Sequence, residues 1–324
     1  MKVNAIQALL VSALVSASAH AEVLTLKVDN DVFTGGRDGH YTSGLEGYWA
    51  FEPEQDHWTR GLANLIPGWT SSDLTYSAYR FGQQLYTPED IEREDLQKDD
   101  RPYAGMLFGG VSLFKATQEQ GYRVTDTATV DVGLVGQGAG GEKSQRWVHK
   151  ATGSKKAEGW DHQLTNEPFL NLGYEKRWWM QDSLGGLETE YGPSVGGAVG
   201  NLYTYLSTGA GVRIGQGLSR SLSQSSVTPG SGGVQYFKPD GGFGWFVFAN
   251  LEGRYMAQNM LLDGNTWHDS PSVDRENLVG DAQVGLALTW DRWQVSFANV
   301  WRTREFDEQS GHDQFGSLTI STAL

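Results

Sequence analysis

Residues Val279–Trp290 read VGDAQVGLALTW, Asp291 and Arg292 follow, and Trp293–Arg302 read WQVSFANVWR. In the first run Ala282, Val284, Leu286, Leu288 and Trp290 are apolar, and they alternate with Asp281, Gln283, Gly285 and Thr289. A period of two over this length is a strand with one apolar and one polar face. The two-residue break before the next run predicts a tight turn between neighbouring strands. The same pattern recurs outward along the chain. From Phe243 the apolar set is Phe243, Trp245, Val247, Ala249, Leu251 and Tyr255, set against Asn250, Glu252 and Arg254. Between Val124 and Leu134 the apolar set is Val124, Ala128, Val130, Val132 and Leu134, set against Thr125, Thr127, Thr129 and Asp131.

About twelve such segments can be marked, near 22–30, 41–51, 74–86, 103–116, 121–136, 168–179, 187–199, 203–216, 241–257, 276–291, 293–303 and 313–324. Soluble sandwiches use strands of about 5–6 residues, whereas a tilted strand needs about 9–11 to cross a bilayer. Trp178, Trp179, Trp293 and Trp301 stand near segment ends, as an interfacial girdle would. Only a closed barrel satisfies all β backbone groups in lipid. The expected fold is therefore all-β, a transmembrane antiparallel β-barrel of about 12 strands, with no internal repeat or domain linker.

Composition removes other classes. The chain has 324 residues, 42 of them glycine, and no cysteine, which excludes disulfide scaffolds, thiol catalysis and Cys-ligated zinc. With 25 Lys+Arg against 39 Asp+Glu the formal charge is −14, and no nucleic-acid partner is expected. The mean hydropathy of −0.43 looks soluble, yet a barrel with a polar lumen gives the same value.

Lys2, an apolar stretch over residues 5–17 and the Ala19-His20-Ala21 site read as a signal peptide over residues 1–21. Its removal takes away one lysine and no acid, so the charge goes from −14 to −15. Residues 22–324 are then the outer-membrane barrel. With a periplasmic N-terminus, the connections near 31–40, 87–102, 137–167, 200–202, 258–275 and 304–312 are extracellular. The stretches 52–73 and 217–240 are long for periplasmic turns, so either they carry extra structure or the register fails there.

Chemistry-bearing residues collect at the outer ends of adjacent strands. Strand one ends in Asp29-Asn30-Asp31 and strand two opens on His40-Tyr41-Thr42-Ser43-Gly44. Strand four is entered through Asp100-Arg101-Pro102-Tyr103-Ala104-Gly105, and the connection after strand five holds Gly140-Gly141 and His149. Carboxylates, amides and hydroxyls suit a hard cation such as calcium, and an imidazole suits a general base near neutral pH. Asx- and Gly-rich stretches are also ordinary turn chemistry, and a lone histidine is also an ordinary loop residue.

At these residues the sequence resembles the outer-membrane lipid A 3′-O-deacylases, a family of twelve-stranded barrels. The resemblance covers most of the chain after residue 21. It rests on Asn30-Asp31, Asp38-Gly39-His40-Tyr41-Thr42-Ser43-Gly44-Leu45, Tyr86-Thr87-Pro88, Asp100–Gly105, Gln145-Arg146-Trp147-Val148-His149, Gly159–Leu164 and Gly197–Leu202, in that order. It implies calcium-dependent hydrolysis of the ester that holds the 3′-linked acyloxyacyl chain on lipid A, in the outer leaflet of the bacterial outer membrane. By the same resemblance His149 is the general base, Asn30 and Thr42 are active-site residues, and Asp31 holds Ca2+. Thr42 is expected on the inward face of strand two, with Gly44 and Glu46. One position departs from the family: its glutamate six residues after the histidine is Lys155 here, and a lysine cannot ligate calcium. The alternative is a non-catalytic barrel derived from that family, a channel or a structural or surface-binding protein. The sequence leaves the oligomeric state open.

Overall fold

The computed structural model describes residues 22–34, 40–222, 236–239 and 242–324. The expected signal peptide and residues 35–39 lie outside the described residues. Among the described residues twelve strands close into one antiparallel barrel. They are β1 (Val23–Asn30), β2 (His40–Phe51), β3 (Tyr76–Thr87), β4 (Ala104–Glu119), β5 (Tyr122–Val135) and β6 (Glu167–Leu184), then β7 (Leu187–Gly200), β8 (Tyr203–Gln216), β9 (Gly244–Asn259), β10 (Leu278–Trp290), β11 (Trp293–Arg302) and β12 (Asp313–Ala323). Each lies within a few residues of its expected segment. Neighbours in sequence are neighbours in the wall, and β1 closes on β12 from Val23↔Ala323 to Asn30↔Gly316. The Leu324 N–H donates to the Glu22 carbonyl at 3.0 Å and completes the seam. Among the described residues no helix is long and apolar enough to cross a membrane.

The alternation read from sequence separates lipid from lumen. Leu26, Leu45, Phe81, Leu206 and Leu251 lie on the outer face and are well exposed, the surface a bilayer covers. Trp179 is a correction to the expected girdle. It is buried at 3 % exposure, and its ring lies 4.8 Å from the Arg213 guanidinium in the lumen.

The lumen is filled rather than open. Lys27 bonds Asp29 at 2.8 Å, and Arg80 joins Asp131 at 3.2 Å and Glu46 at 3.6 Å. Across the barrel, Glu190 accepts from Arg123 at 3.0 Å and from Arg213 Nε at 2.6 Å. Asp281 holds both Arg254 at 2.7 Å and Arg302 at 2.8 Å. Buried ions persist only when paired in this way.

Both long connections at the short-turn end carry extra structure. Helix α1 (Trp58–Ala63) lies in the β2–β3 connection, and Ala63, Trp69 and Leu74 pack against Leu113 of β4. The β8–β9 connection turns Tyr236 and Phe237 into the lumen beside Val23, Ala50, Tyr76 and Phe114. Tyr236 stacks on Tyr76 with ring centroids 3.6 Å apart.

At the other end, side chains from distant loops converge on the lumen mouth. Arg101, 1 % exposed, covers the Tyr86 ring at 4.5 Å and reaches Glu305 at 3.2 Å. His40 takes φ of 60°, a region rarely used by residues other than glycine. It is held there by Asp313 at 2.5 Å, Asp100 at 3.4 Å and the edge of Phe306. Burial by itself would raise the Asp100 pKa, but the His40 ring and the Glu89 and Arg101 backbone N–H groups hold it below the ordinary carboxylate value. Burial opposes Glu305 likewise, and Arg302 and Arg101 outweigh it.

Two outcomes follow from this interior. Glu190→Leu leaves two buried guanidiniums without their countercharge, so a loss of about 3–5 kcal/mol is expected, read as a lower urea midpoint for the barrel folded in lipid. Because Asp100 and Glu305 have depressed folded-state pKa values, their stabilisation is complete above the unfolded carboxylate range of about 4 and is lost as pH falls below it. Acidification should therefore raise amide exchange in residues 88–103 and 303–312 before it affects the strands.

Candidate active site

Asn30 ends β1 on the wall's outer side, since its register partners Ser43 and Gly316 face outward. Its amide Nδ2 donates to the Thr42 carbonyl at 3.0 Å, which fixes the amide plane. Thr42 is a second correction. The β2–β3 register slips between Tyr41 and Ser43, and an extra residue at such a bulge changes which face a side chain meets. Tyr41 points inward and donates to Asp29 at 2.8 Å. The Thr42 hydroxyl instead meets the Thr87 hydroxyl at 2.7 Å. Thr87 follows the inward Tyr86 in β3, so both threonines lie on the outer side, opposite Gly44 and Glu46.

Asp31 follows Asn30, opens the 3-10 turn Asp31–Thr34 and is 2 % exposed. The turn is closed by Thr34 Oγ1 donating to the Asp31 carbonyl at 3.0 Å. Phe33 lies over Gly316 and meets Phe297 edge-on at 6.4 Å. A side chain at Gly316 would collide with Phe33, so this glycine sets how closely the turn hugs the wall.

The β5–β6 connection holds helix α2 (Gly141–Thr152), where the sequence pattern gave only a loop. Positions 141, 145 and 149 recur one turn apart and share a face. Gly141 lies against Gly105 and Leu85, too close for any larger residue, and Gln145 accepts from the Trp160 indole at 2.6 Å. The contacted residues sit on the outer faces of β3 and β4, so α2 covers the wall from outside. Gly153 caps α2 in the left-handed region at φ 75°, and its N–H returns to the His149 carbonyl.

His149 is half-buried, and its Nδ1 is hydrogen-bonded to the Lys155 carbonyl. A carbonyl only accepts, so Nδ1 carries a proton. The Lys155 ammonium turns the other way, onto Glu92, whose hydrogen bond holds its pKa above the ordinary lysine value. The Glu158 N–H donates to the Ile91 carbonyl at 2.8 Å and the Leu164 N–H to the Tyr103 carbonyl at 2.9 Å, docking the return strand of this loop on the β3–β4 connection. The fold thus gathers Asn30, Asp31, Thr42 and His149 at one end of four adjacent strands, β1–β4. Asn30 and Thr42 touch, and His149 is carried by the helix that roofs β3 and β4. Among the described residues no group of three His, Asp or Glu side chains is arranged to hold a metal.

Sequence reasoning quoted Thr87, Gln145, Trp160 and His40 within the matching motifs but read none of their contacts: Thr87 with Thr42, Gln145 with Trp160, and His40 with Asp100 and Asp313. The motif Asp100–Gly105 was singled out, but Arg101 serves the lumen mouth and Gly105 the seat of α2.

Comparison with known proteins agrees with this architecture. The structure of LpxR from Salmonella typhimurium superposes with a TM-score of 0.77 at 21 % identity, covering 93 % of this chain and 99 % of that one. The β-domain of the Bordetella autotransporter BrkA reaches a TM-score of 0.43 at 9 % identity, over 94 % and 99 % of the two chains. No curated protein sequence matches. The family profile described as "Outer membrane protein LpxR" matches residues 5–324, and the chain therefore belongs to the LpxR family of outer-membrane barrels.

Proposed function

We propose that this barrel is a lipid A deacylase that hydrolyses the ester of the 3′-linked acyloxyacyl chain, with His149 as general base. The observation that carries the reading is the hydrogen bond between His149 Nδ1 and the Lys155 carbonyl. With Nδ1–H given to the Lys155 carbonyl, Nε2 is the nitrogen that would take a proton from water, on the helix that covers the outer side of β3 and β4. The resulting hydroxide attacks the ester carbonyl carbon. The imidazolium returns its proton to the departing sugar oxygen as the tetrahedral species collapses. The Asn30 amide, with its plane fixed by Thr42, is the donor for the developing oxyanion. Thr42 and Thr87 brace each other and hold the bulge whose Thr42 carbonyl anchors the amide. A site on the outer side of the wall takes a lipid directly from the leaflet and needs no passage through the lumen.

Calcium belongs to this proposal as the expected cofactor. Asp31 is a hard-oxygen donor of the right kind, and it is the carboxylate that would hold the ion. The rest of the shell would have to come from backbone carbonyls and water, since among the described residues no group of three His, Asp or Glu side chains is arranged to hold a metal. When bound, Ca2+ would polarise the ester carbonyl. Lys155 contributes its backbone oxygen, so a lysine side chain at the family's glutamate position is compatible with a working base.

The filled lumen gives no support to a channel. A structural or surface-binding barrel is the reading that competes. Mass spectrometry of lipid A from cells expressing the chain, with calcium present, separates the two. Wild type should remove the 3′-linked chain. His149→Ala and Asp31→Ala should each lower that rate by about 10²–10⁴-fold while heat-modifiable folding persists. Unchanged lipid A in wild-type cells would sink the enzyme reading. Lys155→Ala keeps the carbonyl and should stay within about threefold of wild type, since an exposed ion pair is worth little. A collapse of activity in that variant would mean that the ammonium itself acts.

A further inference from the structure

We propose that the outward face of α2 is a docking surface for the phosphate-bearing headgroups of outer-leaflet lipid. Trp147 is its wedge into the interface, and Lys143 and Lys150 are its phosphate contacts. The inference rests on the outer-membrane location of the barrel and is independent of hydrolysis.

Three observations carry it. The first is the division of the helix. Gly141, Gln145 and His149 turn to the wall, which leaves the opposite face to Trp147, 73 % exposed, and next to it Val148, 43 % exposed. A bare indole on a charged helix is costly in water and favourable at a membrane interface. The second is charge. Residues 143–156 hold five of the chain's 25 Lys+Arg and no Asp or Glu, in a protein of net charge −14. Arg146, Lys155 and Lys156 are engaged by Glu142, Glu92 and Glu158. Lys143 and Lys150 are exposed and form no ion pair among the described residues. They stand one residue-turn to either side of Trp147 on a 3.6-residue helix.

The third observation is height. On the outer face of β3, Phe81 is 62 % exposed, Gln83 donates to the Ala139 carbonyl just before α2, and Leu85 is 4 % exposed beneath it. The wall passes from lipid-facing to loop-covered within four residues, about 13 Å. The helix therefore lies at the level of headgroups, where lysines can reach phosphate while an indole sits below them.

The absence of cysteine makes the test direct, because any introduced thiol is the sole labelling site. Trp147→Cys, carrying a polarity-sensitive fluorophore, is placed in the full His149→Ala chain so that no lipid is consumed. The protein is reconstituted in phosphatidylcholine vesicles with a rising fraction of bisphosphorylated lipid A. The label's emission is expected to shift to the blue, and its quenching by iodide to fall, as the phosphorylated lipid increases. Val148→Cys should respond alike, and Glu94→Cys on the β3–β4 loop should stay accessible to iodide. Lys143→Gln with Lys150→Gln should raise the lipid fraction at half-response about tenfold. Equal quenching at every composition, an equal response at Glu94, or a double variant that behaves like its parent would each overturn the proposal.

Discussion

The structure depends on one constraint: in hydrocarbon every backbone N–H and C=O must find a partner inside the protein. Twelve strands meet it by closing β1 on β12. Closure then fixes a side for every residue. One face must suit acyl chains, and the other must neutralise whatever it encloses. The lumen does so with arginines and carboxylates in contact, Glu190 between Arg123 and Arg213, and Asp281 between Arg254 and Arg302. Aromatic clusters close both ends. A filled interior leaves no room for substrate chemistry inside, so a working site has to lie on the rim or the outer wall.

The candidate site lies on that outer wall because of a single-residue defect. Without the slip between Tyr41 and Ser43, alternation would have put Thr42 in the lumen beside Gly44 and Glu46. The slip leaves Tyr41 inside on Asp29 and sends the Thr42 hydroxyl to Thr87. Asn30 reaches the same place with no defect, by parity alone. The donors that the sequence resemblance brought together thus meet through a bulge that no periodicity could reveal, since one added residue is invisible to a pattern of period two.

What the sequence made legible follows the same logic. Strands such as β10 and β11 were legible because a lipid face and a lumen face impose opposite chemistry on successive residues. Helix α2 was not, because the face it buries is Gly141, Gln145 and His149, which carry no apolar period. Its packing relies on a glycine-to-glycine approach with Gly105 and an amide–indole bond to Trp160. Trp179 was placed with the girdle because tryptophan at a strand end suits an interface, yet it faces inward, where Arg213 covers its ring. The long connections at the short-turn end resisted reading for a related reason: Tyr236, Phe237 and Trp69 find apolar partners on the barrel, far away in sequence.

Net charge is a poor guide to what such a protein binds, and the distribution of charge explains why. Many of the acids are spent on contacts within the fold: Glu46, Asp131, Glu190 and Asp281 neutralise lumen cations, and Asp100, Glu305 and Asp313 brace the mouth. Charges paired within a few ångströms project little field past a Debye length of about 8 Å. What stands outermost at the candidate site is the exposed side of α2, where Lys143 and Lys150 flank Trp147. A lysine at position 155 fits that surface. Its carbonyl serves His149, its ammonium answers Glu92, and neither contact needs the carboxylate that the sequence resemblance implies there.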